Sequence, residues 1–443
     1  AVSVDTNGLV VEQFARLVEL ALAHGINLHD PRYVGLQVPA PVPLAGLFDC
    51  IGAVINNPMA IYEMGPWVAS AEQALIAELA GRIGWEGRDS GGIVTHGGSI
   101  ANLTAILVAR NVALGRSWEL GIAPELATRG GRTAKLVVHA DAHYCLARAA
   151  GITGIGTDNV VLAPLDDRRR IDPSRLDETL VTLRSAGHPI IAVSACACST
   201  PVGAFDPLIE IAEVCQRHDV WLHVDAAHGG AALFSRKHCG LLAGIDLADS
   251  VTWDAHKMMF VPALCAFLLY KDKRHSYEAF RQNAPYLFDP SEPGLADFDG
   301  GLRTLECTKR AAALGLWGVW SLFGPELFED LVDVTFALGR SLYEQLNAAA
   351  DFTPLHEPQC NIVVFRYTPS ALRDAAPAEL GEFQLHLRRS VIESGDFYLV
   401  PTSHNGVAAL RCTLMNPLTT PATLAALLQT LREHGQRILN RAS

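Results

Sequence analysis

Asp225 and Lys257 are the two residues whose types and setting could do chemistry together. Asp225 lies near the C-terminal end of the apolar run Trp221–Asp225 (WLHVD), and an Ala-Ala-His-Gly-Gly segment carries the chain on to Gly230. Lys257 follows a second apolar run, Ser250–Asp254 (SVTWD), in the turn beyond it and directly after His256. Both runs read as short buried strands. In an open α/β sheet the ligand-binding groups collect at the carboxyl ends of the strands. A lysine amine condenses with an aldehyde, and a carboxylate keeps a ring nitrogen protonated; pyridoxal phosphate requires that pair. Taken alone, the lysine would be a solvated turn residue and the aspartate a cap. Together, and with the blocks below, they mark a site.

The blocks HVDAAHGG (His223–Gly230) and DSVTWDAHKMM (Asp249–Met259) resemble the signature of the group II pyridoxal phosphate-dependent amino-acid decarboxylases, and most closely their glutamate decarboxylase branch. The resemblance runs from Ile26 to Thr420. It implies the aspartate-aminotransferase fold (fold type I): an α/β protein with a mostly parallel central sheet flanked by helices and a smaller α+β C-terminal domain. The expected division is residues 1–60 as N-terminal arm and substrate mouth, 61–325 as the cofactor-binding domain, and 326–443 as the small domain.

The resemblance also assigns roles. Gly97, Gly98 and Ser99 precede a helical run to Ala113. Glycines before a helix start leave backbone N–H groups free, and the helix dipole favours an anion, so a phosphate fits there. Ser99, Ile100 and Ala101 are the positions expected to hold it, two of them through backbone. His143, after the strand Leu136–His139, is the expected ring-stacking histidine. Thr200 is expected to hydrogen-bond near the cofactor ring or the substrate, while Asp254 and His256 contact the phosphate side. Arg411 is the expected partner of the substrate α-carboxylate, a role that suits a planar guanidinium. Gln37 falls where the branch carries a substrate-contacting amide. Tyr286 precedes a segment rich in Pro, Gly and Asp (Ser291–Gly301) and is expected to deliver a proton to Cα. Two positions depart from the pattern: Ala60 replaces a bulkier aromatic, and Cys198 replaces a glycine.

The elements that must position these residues alternate along the chain. Leu9–His24 has apolar residues at helical spacing and stops at Gly25, whereas Asn27–Pro39 is Pro-rich and irregular. Helices are expected over Ser70–Ile83 and Pro173–Arg184, strands over Asn159–Ala163, Pro189–Ala197 and Ala263–Tyr270. Asp206 suits the N-cap of the helical stretch that leads to His218. Strands and helices at this spacing argue for a mostly parallel sheet. Glu306 through Trp320 reads as helical, and Gly324–Pro325 marks a boundary. Beyond it come a helix (Leu327–Ala348), a strand (Asn361–Tyr367), a helix (Gln384–Glu393) and strands near Tyr398 and Ala409.

Composition bounds the function. The 443 residues are 49% hydrophobic and 19% charged, so the chain is globular. A net charge of -12 without any Lys/Arg-rich run argues against nucleic-acid binding. The ten cysteines form no CxxC pair. Cys196 and Cys198 share one face of a strand, a poor disulfide geometry, and two thiols alone make no metal site. No apolar run reaches the roughly 18 to 20 residues of a membrane span, and no secretory n-region is visible. A cytoplasmic protein with reduced thiols and no metal is expected.

The expected reaction is decarboxylation of an L-amino acid. The C–C bond held perpendicular to the cofactor ring is the one that breaks, and Arg411, Thr200 and His143 would choose it by orientation. Gln37 and the Tyr62–Glu63 block lean towards an acidic side chain. The alternatives are 2,4-diaminobutyrate or an aromatic amino acid as substrate, or an aminotransferase of the same fold. From the resemblance alone a homodimer with shared active sites is expected, the N-terminal arm packing on the partner.

Overall fold

The computed structural model describes residues 9–442, with residues 88 and 281–295 excepted. Seven strands form the large sheet: β1 (Gly91–Thr95), β2 (Lys135–His139), β3 (Val160–Ala163), β4 (Ile190–Cys196), β5 (Trp221–Asp225), β6 (Ser250–Asp254) and β7 (Ala266–Tyr270). Their order is β1-β7-β6-β5-β4-β2-β3, all parallel except β7, which runs antiparallel to both β1 and β6. Every residue of β4, β5, β6 and β7 is buried. Burial on both faces is why these strands read as unbroken apolar runs without alternation. The reversal at β7 has a simple cause. Only Ala255–Cys265 separates it from β6, too few residues for a parallel crossover.

Because β1, β2, β4, β5 and β6 point the same way, their last residues (Thr95, His139, Cys196, Asp225 and Asp254) gather at one edge. Register sharpens this, with Cys196 level with Asp225 and Asp225 level with Thr252. Helix Gly98–Leu114 crosses from β1 back to β2 and carries a row of buried residues (Ala101, Ala105, Val108) against the sheet. Helix Pro173–Ser185 begins on Pro at N1 with Asp172 as its cap, accepting from the backbone N–H of Ser174 and Arg175.

Asp206 behaves otherwise than expected. The cap position of helix Leu208–Arg217 is Pro207, with no side-chain cap. The Asp206 carboxylate is buried and accepts from the backbone N–H of Ile171 (2.6 Å) and Cys196 (2.7 Å). It ties the end of β4 to the loop after β3, and burial pushes its pKa up. The helix expected from Glu306 starts only at Leu314. Lys309 explains the delay: its ammonium is buried, donating to the Val94 carbonyl and reaching Glu72 at 3.5 Å. A cation drawn under β1 holds this segment off a helical path.

The small sheet has order β10-β11-β9-β8, with β8 (Phe352–Pro354), β9 (Ile362–Tyr367), β10 (Val400–His404) and β11 (Val407–Thr413) all antiparallel. Helices Glu326–Ala348, Pro377–Ser394 and Pro421–Ala442 share its apolar core with Phe365, Leu387, Leu410 and Leu427. The N-terminal segment joins this sheet. Val34 donates to the Tyr398 carbonyl and accepts from Thr413, and Tyr33 stacks on Tyr398 at 4.9 Å. Residues just before Gln37 are thereby anchored beside the small sheet while the chain runs on toward the large one.

Candidate active site

A cavity of about 360 Å3 opens at the carboxyl edge of the large sheet. Lining it are Asp225 from the end of β5 and Asp254, His256 and Lys257 from the turn after β6. The turn after β4 adds Thr200, the segment after β2 adds His143, the start of helix Gly98–Leu114 adds Ser99, and the N-terminal segment adds Gln37. Eight residues singled out from sequence thus meet at one place. A larger cleft, about 660 Å3, opens at the amino ends of the same strands around Ile190, Trp221 and Asp249. It holds neither Asp225 nor Lys257, and the carboxyl edge is where an open α/β sheet binds ligands.

Lys257 Nζ lies 3.1 Å from Asp254 Oδ2. Burial works against the charged amine, but Asp254 and Asp225 outweigh it and raise its pKa. Asp254 Oδ1 is buried without a hydrogen-bond partner among the described residues. His256 is held by the first residues leading into β7: its Nδ1 lies 2.8 Å from the Cys265 carbonyl. Asp225 is fixed at both oxygens, Oδ1 accepting from the Ala227 N–H (3.1 Å) and Oδ2 from Asn102 Nδ2 (3.0 Å). His143 Nδ1 faces the Cys145 N–H at 3.4 Å, which leaves the proton to Nε2. Burial lowers the His143 pKa and favours the neutral ring.

The helix start shows why glycine is needed there. Gly97 sits at φ 104°, in the region that favours glycine, and a Cβ on Gly98 would stand 2.7 Å from Asp254 Oδ1. The backbone N–H groups of Ile100 and Ala101 fold back on the Gly97 carbonyl at 3.1 and 3.2 Å, and Ala101 is fully buried. Gly98 and Ser99, the first two residues of the helix, face the cavity instead, where N–H groups have no intrahelical acceptor.

Arg411 occupies the middle of the small sheet, on β11 between Val400 of β10 and Val364 of β9. Its side chain is buried, and Nε and Nη2 have no hydrogen-bond partner among the described residues. Burial lowers its pKa. Arg411 acts electrostatically on Cys198 and His228, both of which line the cavity. Tyr286 lies outside the described residues. Ala60 is buried and does not line the cavity.

Sequence reasoning passed over two buried histidines, His223 and His228. His228 Nε2 lies 2.9 Å from Asn361 Oδ1, and its Nδ1 is buried without a partner among the described residues. Burial pushes the pKa of His228 down to about 3 and that of His223 down to about 4. Both folded values lie below the ordinary 6.5, so the unfolded chain binds more protons as the pH falls below 6.5. Stability is therefore complete above that pH and is lost on the way down, by about 2.5 kcal/mol per histidine near pH 4.5. The expected result is that His228→Gln loses about 2.5 kcal/mol less than the parent between pH 7.5 and 4.5, read by denaturant unfolding at both pH values.

The family described as "Pyridoxal-dependent decarboxylase conserved domain" matches residues 9–368. The chain is similar to the mouse acidic amino acid decarboxylase GADL1 (Mus musculus), 36% identical over 327 residues, which are 73% of this chain and 58% of that protein. Its human counterpart (Homo sapiens) is 34% identical over 358 residues, 80% of this chain and 67% of the relative. The match thus spans about three fifths to two thirds of these relatives' length. The crystal structure of mouse CSAD superposes with a TM-score of 0.89 at 29% identity, covering 98% of this chain and 90% of that one.

Proposed function

The chain belongs to the family of pyridoxal-dependent decarboxylases, and from that premise we propose that it releases CO2 from an L-amino acid with an acidic side chain. When bound, pyridoxal phosphate supplies an aldehyde for a lysine amine and a protonated ring that accepts the electrons of a breaking Cα bond. The residues present fit that group. The helix start at Gly98 and Ser99 opens on the cavity with N–H groups that have no intrahelical acceptor, and a carboxylate fixed at both oxygens shares the cavity with a lysine. Lys257 would hold the aldehyde end, Asp225 the ring nitrogen, the backbone N–H groups of Gly98 and Ser99 the phosphate, and His143 a ring face. Asp254 and His256 would fix Lys257 and close the phosphate side.

The observation that carries the reading is Arg411. A buried guanidinium with two unpartnered nitrogens is costly unless an anion completes it. An amino acid's carboxylate supplies that anion. Pairing too tightly would stabilise the ground state and slow loss of CO2. Arg411 and Thr200 would therefore serve by orienting the carboxylate, with His143 bracing the opposite side. Tyr286 is proposed as the proton donor to Cα.

Two features support an acidic side chain. Gln37 offers an amide to the cavity from the small-domain side, and the two GADL1 relatives are named acidic amino acid decarboxylases. The test is CO2 release by the cofactor-loaded chain against acidic, basic and aromatic L-amino acids. Release from glutamate, aspartate or cysteine sulfinate is expected. Release confined to 2,4-diaminobutyrate or aromatic substrates would overturn the side-chain assignment. Amino transfer to an added α-keto acid without CO2 would overturn the decarboxylase reading.

We further propose a cytoplasmic homodimer. The ten cysteines are all free, which suits a reducing compartment, and no helix among the described residues is long and apolar enough to cross a membrane. Helix Leu9–His24 exposes Val11, Phe14, Leu17 and Leu22, each more than 60%, and helix Pro43–Ile55 exposes Leu47 and Val54. Apolar rows of this size ask for a covering surface, and a second copy provides one. Sedimentation of the loaded chain as a monomer at micromolar concentration would refute it.

A further inference from the structure

We propose that Trp221, Ser250, His223 and Asn102 form a one-way chain of hydrogen bonds that fixes the carboxylate of Asp225, making Asn102 and His223 positioning residues for the reaction. The proposal rests on the reading of Asp225 given above.

The parts come from three elements. Side chains two apart on a strand share a face, so Trp221, His223 and Asp225 line one side of β5. Ser250, the first residue of β6, is level with His223. Asn102 sits one turn into helix Gly98–Leu114, the helix whose start faces the cavity. Five distances join them. Trp221 Nε1 is 2.9 Å from Ser250 Oγ, and Ser250 Oγ is 2.9 Å from His223 Nδ1. His223 Nε2 is 2.8 Å from Asn102 Oδ1, Asn102 Nδ2 is 3.0 Å from Asp225 Oδ2, and Asn102 Nδ2 is also 3.3 Å from Cys145 Sγ. Trp221, Ser250, His223, Asn102 and Asp225 are all buried.

The ends of the chain decide its direction. An indole N–H only donates, and a carboxylate only accepts. Trp221 therefore donates to Ser250, whose own hydroxyl proton turns to His223 Nδ1. That nitrogen can accept because the ring is neutral, in keeping with a pKa pushed down to about 4 by burial. His223 then carries its proton on Nε2 and gives it to the Asn102 carbonyl, so the Asn102 amine faces Asp225. Turning the Asn102 amide over would set its carbonyl oxygen against the Asp225 carboxylate and leave two buried lone pairs opposed. One proton arrangement satisfies every group. Its consequence is a carboxylate that cannot rotate: Oδ1 is taken by the Ala227 N–H and Oδ2 by Asn102, and the remaining lone pairs keep one heading. A ring nitrogen approaching from the cavity meets an acceptor already oriented.

His223→Leu keeps the volume and removes the donor to Asn102. The freed amide can then turn its carbonyl toward Asp225. The expected result is a loss of affinity for pyridoxal phosphate of about 10- to 100-fold, the size of a lost hydrogen bond to a charged group. His223→Gln, whose amide can both donate to Asn102 and accept from Ser250, should recover most of it.

The network is read independently in the cofactor-free chain labelled with 15N-histidine. A neutral His223 protonated on Nε2, unchanged from about pH 5.5 to 9, is expected. In Ser250→Ala the two tautomers should mix. A wild-type His223 protonated on Nδ1, or charged at neutral pH, would overturn the proposal even if His223→Leu fails to fold. So would a folded His223→Leu chain that binds pyridoxal phosphate as the parent does. If the parent itself binds none, the active-site reading fails, while the tautomer result still judges the hydrogen-bond chain.

Discussion

Replacing Lys257 by alanine is expected to abolish turnover, with a fall in kcat of about 10^4-fold or more. Among the described residues the lysine is the one amine in a cavity that otherwise offers carboxylates, imidazoles, thiols and amides. Its position 3.1 Å from Asp254 is set by the turn between β6 and β7, so no neighbouring side chain can take over. The groups that would hold the rest of the cofactor are untouched: Asp225 keeps its two donors, and the helix start at Gly98 keeps its N–H groups. Pyridoxal phosphate should therefore still bind, with the absorbance of the free aldehyde in place of the lysine-linked form. Stability should fall as well. Among the described residues Asp254 Oδ1 already lacks a partner, and the variant strips Oδ2 of its cation. A buried carboxylate left unsatisfied costs about 1–3 kcal/mol. Lys257→Arg separates the two effects, because it keeps a cation near Asp254 and cannot condense with an aldehyde. Its melting temperature should stay near the parent's while its CO2 release matches that of Lys257→Ala. Full turnover in either variant would remove Lys257 from the mechanism.

Why the strand ends were legible in the sequence, and their surroundings less so, follows from range. Trp221–Asp225 and Ser250–Asp254 are runs that only a doubly covered strand tolerates, and parallel strands bring their last residues together wherever they lie in the chain. Asp225, Lys257, His143 and Thr200 meet for that reason, while Gln37 reaches the same cavity from the N-terminal segment. Asp206 shows the opposite case. Its local setting is a cap, yet its carboxylate goes to Ile171, 35 residues away, because that backbone N–H would otherwise be buried unpaired. Asn102 and His223 are separated by 121 residues, and no periodicity marks a polar residue inside an apolar helix as the partner of another on a strand. One signal was present: His223 stands two residues before Asp225, hence on the same face. Ile100 and Ala101 were assigned by their place in a block, but their N–H groups close the first turn on Gly97, which only backbone geometry reveals. Lys309 is invisible for the same reason as Asp206. A lysine reads as surface until a buried Glu72 and a strand carbonyl are found beneath it.

Arg411→Met is expected to move stability and function in opposite directions. Arg411 sits on an inner strand of the small sheet, 6% exposed, with Nε and Nη2 unpartnered among the described residues. Among the described residues its electrostatic neighbours are the thiols of Cys198, Cys360 and Cys412 and no carboxylate. A charge kept out of water without a counter-ion destabilises the fold, and an apolar side chain of similar length that packs in its place relieves it, by about 1–4 kcal/mol. Methionine suits the gap because its unbranched thioether adapts to irregular space. The substrate-free variant should therefore unfold at higher denaturant concentration than the parent. Its KM should rise about 100-fold, since a bidentate pair to a carboxylate is lost, while affinity for pyridoxal phosphate is unchanged. Arg411→Lys is expected to fall between, keeping the charge and losing the fork. A structural arginine would give the reverse sign, with Arg411→Met less stable than the parent and its KM unmoved. A group held in place against the stability of the fold is held there by what it binds. The paired measurement of unfolding and KM reads that cost and that use in one variant.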